Sequence, residues 1–290
     1  FVRTYSFGVF ALVLMSNETR GQLIGPWWVD KIVLNEISVD TVVKDASEIN
    51  PSIDFKKLIT KIRISMLSLK GSYMNEDGTC VDYKGMVGSK EYQDYVQLTS
   101  NLKHINLIDM DNEQRKGFLI NTYNCLCIHA LAAGLLGKSI LGQSIARLRL
   151  YASASYRIGN YNYSLNDIEN GLLRNNSPGA APWSKIPFNS NDPRLKYVIV
   201  PIDPRIHFTL NCGASSCPPI AVYDIDIDID KHKKLEKQLN LATRGFIETP
   251  SNICINTNCN EVKLSMIFKW YENDFIDIYD NNNDDNKVKN

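Results

Sequence analysis

The chain has no surplus of charge, with 32 Lys and Arg against 32 Asp and Glu in 290 residues. A neutral chain exerts no long-range pull on nucleic acid or an anionic membrane, which sets a non-specific nucleic-acid binder aside. It has no long apolar run near its start either. The stretch Phe7 to Met15 is under half of the ~20 residues that cross a bilayer as a helix. Arg3 precedes that stretch as in a secretory signal, but no small-x-small cleavage pattern occurs before Asn17-Glu18. With Phe1 rather than Met at the start, the stretch reads as a core strand in a truncated chain, expected in the cytoplasm. Cysteine is scarce and odd in number, seven in all, which excludes a small disulfide scaffold and makes reduced thiols the default. No internal repeat is visible. What is present is 44% hydrophobic and 22% charged residues, enough length and apolar content for one large domain with a real core.

The hydrophobic pattern is mostly helical. Phe55, Leu58, Ile59, Ile62, Met66 and Leu69 recur at three- and four-residue steps, predicting an amphipathic helix that Gly71 ends. A second helix is predicted from Ser89 to about Leu102. Asp111 is the expected cap of the longest helix, Glu113 to Leu136, which is apolar nearly all round after Gly117 and therefore central. Tyr156 to Tyr163 reads as two extended pieces around a Gly-Asn turn, feeding Ser164-Leu-Asn-Asp167, a capping-box pattern for a helix to Arg174. Residues 175–195, with Pro178, Pro182, Pro187 and Pro193, read as a long loop. Tyr197 to Pro201 and Ile206 to Leu210 read as strands around an Asp203-Pro204-Arg205 turn. A helix over Lys231 to Ile247, a strand over Val262 to Leu264 and an aromatic-rich helix over Met266 to Ile276 complete the pattern. The Asn/Asp tail from Asp280 has almost nothing to bury.

Chemistry concentrates near residue 212. A strand over 206–210 places Ile206, Phe208 and Leu210 on one face and His207 and Thr209 on the other. It runs into Asn211-Cys212-Gly213, a turn that can lower a thiol's pKa and offer backbone N–H groups to an oxyanion. Cys212 is the candidate nucleophile and His207 a candidate base, although five extended residues hold them apart unless the chain curls. The structural alternative is a buried Cys212 and a satisfied core histidine. On the long helix Asn121, Cys125 and His129 share a stripe, with Asn124 beside it. These polar groups either bond neighbouring loops or line a site. Glu169 is a further candidate, and Arg174 is expected to pair with Asn170. Cys212–Cys217 and Cys254–Cys259 have the widest spacing that structural zinc pairs use. Asp224, Asp226, Asp228 and Asp230 do not make an EF-hand loop, and are expected to cap the helix near Lys231.

Five ordered blocks are similar to the family catalogued as domain of unknown function 547: Phe118 to Asn124 with His129, Tyr163 to Arg174, Asp192 to Arg194, Arg205 to Pro219, and Leu264 to Phe275. The resemblance implies a helix-rich α+β domain of papain-like or transglutaminase-like type, with a cysteine nucleophile, a histidine and a polar orienting group. It favours Cys212 over Cys217, gives Cys125 no support, matches Asn121, Asn124, His129 and Glu169, and matches His207 in many members. Val81 to Gly85 resembles the segment preceding this domain in longer proteins with DEP and sometimes glutaredoxin-like domains upstream. The organisation expected is therefore the end of a DEP-like region at 1–45, a helical lead-in at 46–111, the domain core at 112–276 and a disordered tail at 277–290. The functional expectation is a cysteine-dependent hydrolase or acyl transferase. Cys212 attacks an amide or ester carbonyl, His129 or His207 moves the proton, and Asn121, Asn124 or Glu169 orients the imidazole. No cofactor is implied. The alternative is an interaction or scaffold module beside DEP-type domains, with a protein or peptide partner. A structural zinc site on Cys212, Cys217, Cys254 and Cys259 comes third.

Overall fold

The computed structural model describes residues 30–36, 54–75, 81–135, 149–181, 184–211, 218, 220–221, 223–225 and 229–276. The apolar run before Asn17, the tail from 277, and Cys80, Cys212, Cys217, Asp226 and Asp228 lie outside them.

The Asp111 carboxylate accepts the Gln114 N–H at 2.9 Å, and the Gln114 side chain accepts the Asp111 N–H at 3.0 Å. This reciprocal cap starts the central helix α4, Asn112–Ala132. Every residue from Gln114 to Ala130 is buried, so its polar side chains must find partners inside the protein. Around it pack α1 (Phe55–Ser72), α2 (Tyr83–Val87) and α3 (Lys90–Thr99). Helix α1 starts on an Asp54 cap and buries Leu58, Ile59, Ile62, Met66 and Leu69, the stripe its spacing predicts. Helix α5, Ile229–Glu248, touches α4 from another side.

A three-stranded sheet flanks the helices. Strand β1 (Ile32–Val33) runs parallel to β2 (Ala154–Ile158), which pairs antiparallel with β3 (Tyr161–Ser164) in the register Tyr156 opposite Tyr163. Gly159 turns this hairpin at φ +56°, and a Cβ there would lie 2.8 Å from the Ile105 carbonyl oxygen, so only glycine fits. Residues 30–36 are stitched into the sheet. Asn35 bonds Thr99 O and Arg157 O at 3.0 Å each, and Lys31 pairs with Asp167. The second sheet is the hairpin of β4 (Ile253–Asn256) and β5 (Glu261–Leu264). The architecture is α+β and helix-rich.

Three local expectations need correction. The Ser164–Asp167 box forms as the sequence predicts, with Ser164 N–H to Asp167 Oδ2 at 3.0 Å and Asp167 N–H to Ser164 Oγ at 3.2 Å. The box leads into a π-helix, Asp167–Leu173, in which Arg174 N–H reaches Glu169 O. The strands expected at 197–201 and 206–210 are absent. Asp192-Pro193 and Asp203-Pro204 each cap a 3₁₀ turn, Pro193–Tyr197 and Pro204–Phe208. In both, the Asp carboxylate accepts the N–H and the guanidinium of the Arg two residues on. Proline at the first helical position and a capping aspartate favour the turn over a strand. Ile206, His207, Phe208, Thr209 and Leu210 are all buried, so the polar face that alternation implied does not exist. The last helix is interrupted at Tyr271, leaving α6 (Ile267–Trp270) and a helical turn at 272–276.

Candidate functional site

The 3₁₀ turn Pro204–Phe208 carries His207 inward, where its Nε2 lies 2.8 Å from Asp274 Oδ2. Arg174, just past the π-helix, holds both oxygens of Asp274, and its Nη1 bonds Asn170 Oδ1 at 2.7 Å, the partner its spacing predicts. Tyr271 stacks on the His207 ring at 3.9 Å between centroids, and its hydroxyl donates to Glu169 Oε1 at 2.8 Å. The Arg174 guanidinium also sits over the Tyr271 ring. Burial works against the Asp274 carboxylate, but hydrogen bonds from His207 and Arg174 outweigh it and hold its pKa below the usual range. Burial lowers the His207 pKa, only partly opposed by Asp274. The pair therefore rests as a neutral imidazole donating Nε2–H to an ionised carboxylate.

Asn121 and Asn124 clamp the chain on either side of residues 212–219. The Asn124 side chain donates to Thr209 O at 3.0 Å and accepts the Asn211 N–H at 2.9 Å. Asn121 does the same for Tyr223, donating to its carbonyl at 2.7 Å and accepting its N–H at 3.1 Å. Between them, Asn121, Asn124, Cys125, Arg63, Ile220 and Ala221 line a cavity of about 10 Å³, near the lower limit for one water molecule. Burial pushes the Cys125 thiol up to about 12, leaving it protonated at ordinary pH.

His129 stands apart from that group. Its Nδ1 is 2.9 Å from the Tyr156 hydroxyl, which is 2.7 Å from the Tyr95 hydroxyl. Tyr92 and Tyr95 meet its ring edge-on. Burial takes its pKa down to about 3. Glu169 makes no hydrogen bond to an imidazole among the described residues; its Oε1 accepts the Tyr271 hydroxyl, and its charge favours the protonated form of His207. Cys254 and Cys259 are exposed on the β4–β5 hairpin. Among the described residues, no three His, Cys, Asp or Glu side chains gather as a metal site would require. No described helix is long and apolar enough to cross a membrane.

Sequence reasoning missed Asp274, Tyr271 and Arg63. Asp274 and Tyr271 sit in the aromatic-rich block Leu264 to Phe275, where acids set among aromatic residues were the available signal. For Arg63, on an otherwise amphipathic helix, local spacing carried none.

The molecule is thus a helix-rich α+β domain built on one buried helix, with an Asp–His pair closed by its C-terminal segment. Residues 107–247 match the family described as protein of unknown function, DUF547. No curated protein and no solved structure matches the chain. The matched segment contains His207, Arg174, Glu169, Asn121 and Asn124, whereas Arg63, Tyr271 and Asp274 lie outside it.

Proposed function

We propose that this protein is a cysteine-dependent hydrolase or acyl transferase in which Cys212 is the nucleophile and His207, oriented by Asp274, carries the proton. The observation that supports it is the 2.8 Å contact of His207 Nε2 with an Asp274 carboxylate that Arg174 fixes, five residues before Cys212 in the chain. With Nε2–H given to Asp274, the lone pair of Nδ1 takes the thiol proton, and the carboxylate stabilises the imidazolium that results. The thiolate forms a bond to the carbonyl carbon. The amine or alcohol leaves with the proton from His207, and water or a second nucleophile releases the acyl group. Asn124 fixes the backbone at Asn211, Glu169 and Tyr271 hold the imidazole plane, and His129 has a packing role.

The test is labelling of the whole chain with iodoacetamide across pH, with Cys212 followed by peptide mapping. The expected result is an apparent Cys212 pKa well below the reference ~8.5. It should rise toward that reference in His207→Gln and Asp274→Asn, and stay unchanged in His129→Gln. Slow labelling with an ordinary pKa, indifferent to His207, overturns the reading and leaves the interaction-module alternative.

A further inference from the structure

Residues 30–36 form a strap along the edge of the three-stranded sheet, outside the segment that matches the family. Only Ile32 and Val33 pair with β2, and Ile32 is 44% exposed. So short a pairing is marginal by itself, and side chains at its two ends seat it. Asn35, almost fully buried, bonds Thr99 O and Arg157 O and accepts the Arg157 N–H at 2.8 Å. At the other end the Lys31 ammonium donates to Asn162 O at 2.8 Å and pairs with Asp167.

Asp167 is the residue on which the π-helix begins. It is buried, and its Oδ2 receives the Ser164 N–H, the Lys31 ammonium and, at 3.4 Å, Arg194. Arg194 already grips both oxygens of Asp192, so Lys31 is the cation that serves Asp167 most closely. A buried carboxylate deprived of its nearest cation is a poorly compensated charge. At the far end of the π-helix Arg174 holds Asp274, and between the two ends Glu169 takes the Tyr271 hydroxyl. Asp274 and Tyr271 are the groups that bond and stack on His207. A contiguous set of contacts therefore runs from the strap through the π-helix to the imidazole, and π-turns of this kind are found mostly at functional sites.

We propose that residues 30–36 are a positioning strap for His207, in which Lys31 holds Asp167 and so fixes the π-helix that presents Glu169 to Tyr271 and Arg174 to Asp274. When the strap lifts, Asp167 loses its nearest cation, the π-helix loosens, and the imidazole loses its fixed tautomer. The site thus extends beyond the family segment and answers to the seating of the chain upstream of it. The consequence for catalysis rests on the thiol-enzyme reading, in which His207 is the base. The coupling of strap to imidazole does not depend on that reading and is measured without Cys212.

The experiment compares the full chain with Lys31→Met, Lys31→Arg, Asn35→Ala and, as a control for general destabilisation, Ile62→Val, with folding checked by circular dichroism. Amide exchange is followed by mass spectrometry and the His207 ring by nitrogen NMR, assigned through His207→Gln. In K31M and N35A, exchange over residues 167–174 is expected to quicken at least tenfold while residues 253–264 stay as they are. The single Nε2–H tautomer of His207 should give way to a mixture. K31R should restore both signals toward wild type, and I62V should move neither. Unchanged exchange over 167–174, an unchanged tautomer, or acceleration spread evenly along the chain overturns the proposal. Should K31M not fold, N35A decides between the same outcomes. Iodoacetamide labelling separates the two readings. A His207 that responds to the strap beside a Cys212 of ordinary reactivity sinks the thiol-enzyme reading alone, whereas a reactive Cys212 indifferent to K31M and N35A sinks the strap alone.

Discussion

The guanidinium of Arg174 grips both oxygens of Asp274, with Nε 2.5 Å from Oδ2 and Nη2 2.9 Å from Oδ1, across 100 residues of sequence. Both side chains are at most 5% exposed. The grip fastens the C-terminal segment to the π-helix and leaves Oδ2 facing His207. Removing one partner strands a buried charge, so Asp274→Asn and Arg174→Gln should each cost about 3–5 kcal/mol. The double variant should lose less than the sum of the two. Urea unfolding monitored by circular dichroism checks this.

Asp203 should set the acid limit of stability. Burial penalises its carboxylate, but Arg205 and Lys116 outweigh that and bring its pKa to about 2. A folded pKa below the unfolded ~3.9 means the stabilisation is complete above pH 4 and is lost as pH falls toward 2. The difference amounts to about 2.6 kcal/mol. Asp203→Asn should be less stable at neutral pH and should flatten the urea-midpoint profile between pH 4 and 2.

His129 should contribute at milder pH. Its pKa of about 3 lies below the unfolded ~6.5. The unfolded chain binds the extra proton first, so stability is full above pH 6.5 and declines as pH drops toward 3. The slope from one such group approaches about 1.4 kcal/mol per pH unit. His207, also lowered, adds to the same limb. In His129→Gln the gap in unfolding free energy between pH 7 and pH 5 should narrow by about 2 kcal/mol, while baseline stability drops because Tyr156 loses one of its two hydroxyl-bonding partners and keeps Tyr95.

Gly117 allows the segment at Asp224 to rest on α4. A Cβ there would lie 2.5 Å from the Asp224 carbonyl oxygen, a backbone atom that cannot swing away. Gly117→Ala should therefore push residues 223–225 outward, at a cost of about 1–3 kcal/mol, despite alanine's better helix propensity. Hydrogen exchange at the Tyr223 amide, held by Asn121, should accelerate in parallel. An unchanged or raised melting temperature would contradict this packing account.

The amino-acid sequence by itself determined the parts governed by a few neighbouring residues. These include the buried stripe of α1, the Asp111–Gln114 cap, the glycine turn at 159, the Ser164–Asp167 box and the Arg174–Asn170 pair. Each depends on contacts within one turn of chain, and spacing encodes those. Tertiary structure decided the rest. It made 204–208 a buried 3₁₀ turn where alternation suggested a strand, because the core covers both of its faces. It bent the segment after Asp167 into a π-helix. It also brought Asp274 to His207 across 67 residues and Arg63 to the loop clamps of α4. No local pattern carries those meetings, since they arise from how helices and turns far apart in sequence bury their apolar sides together.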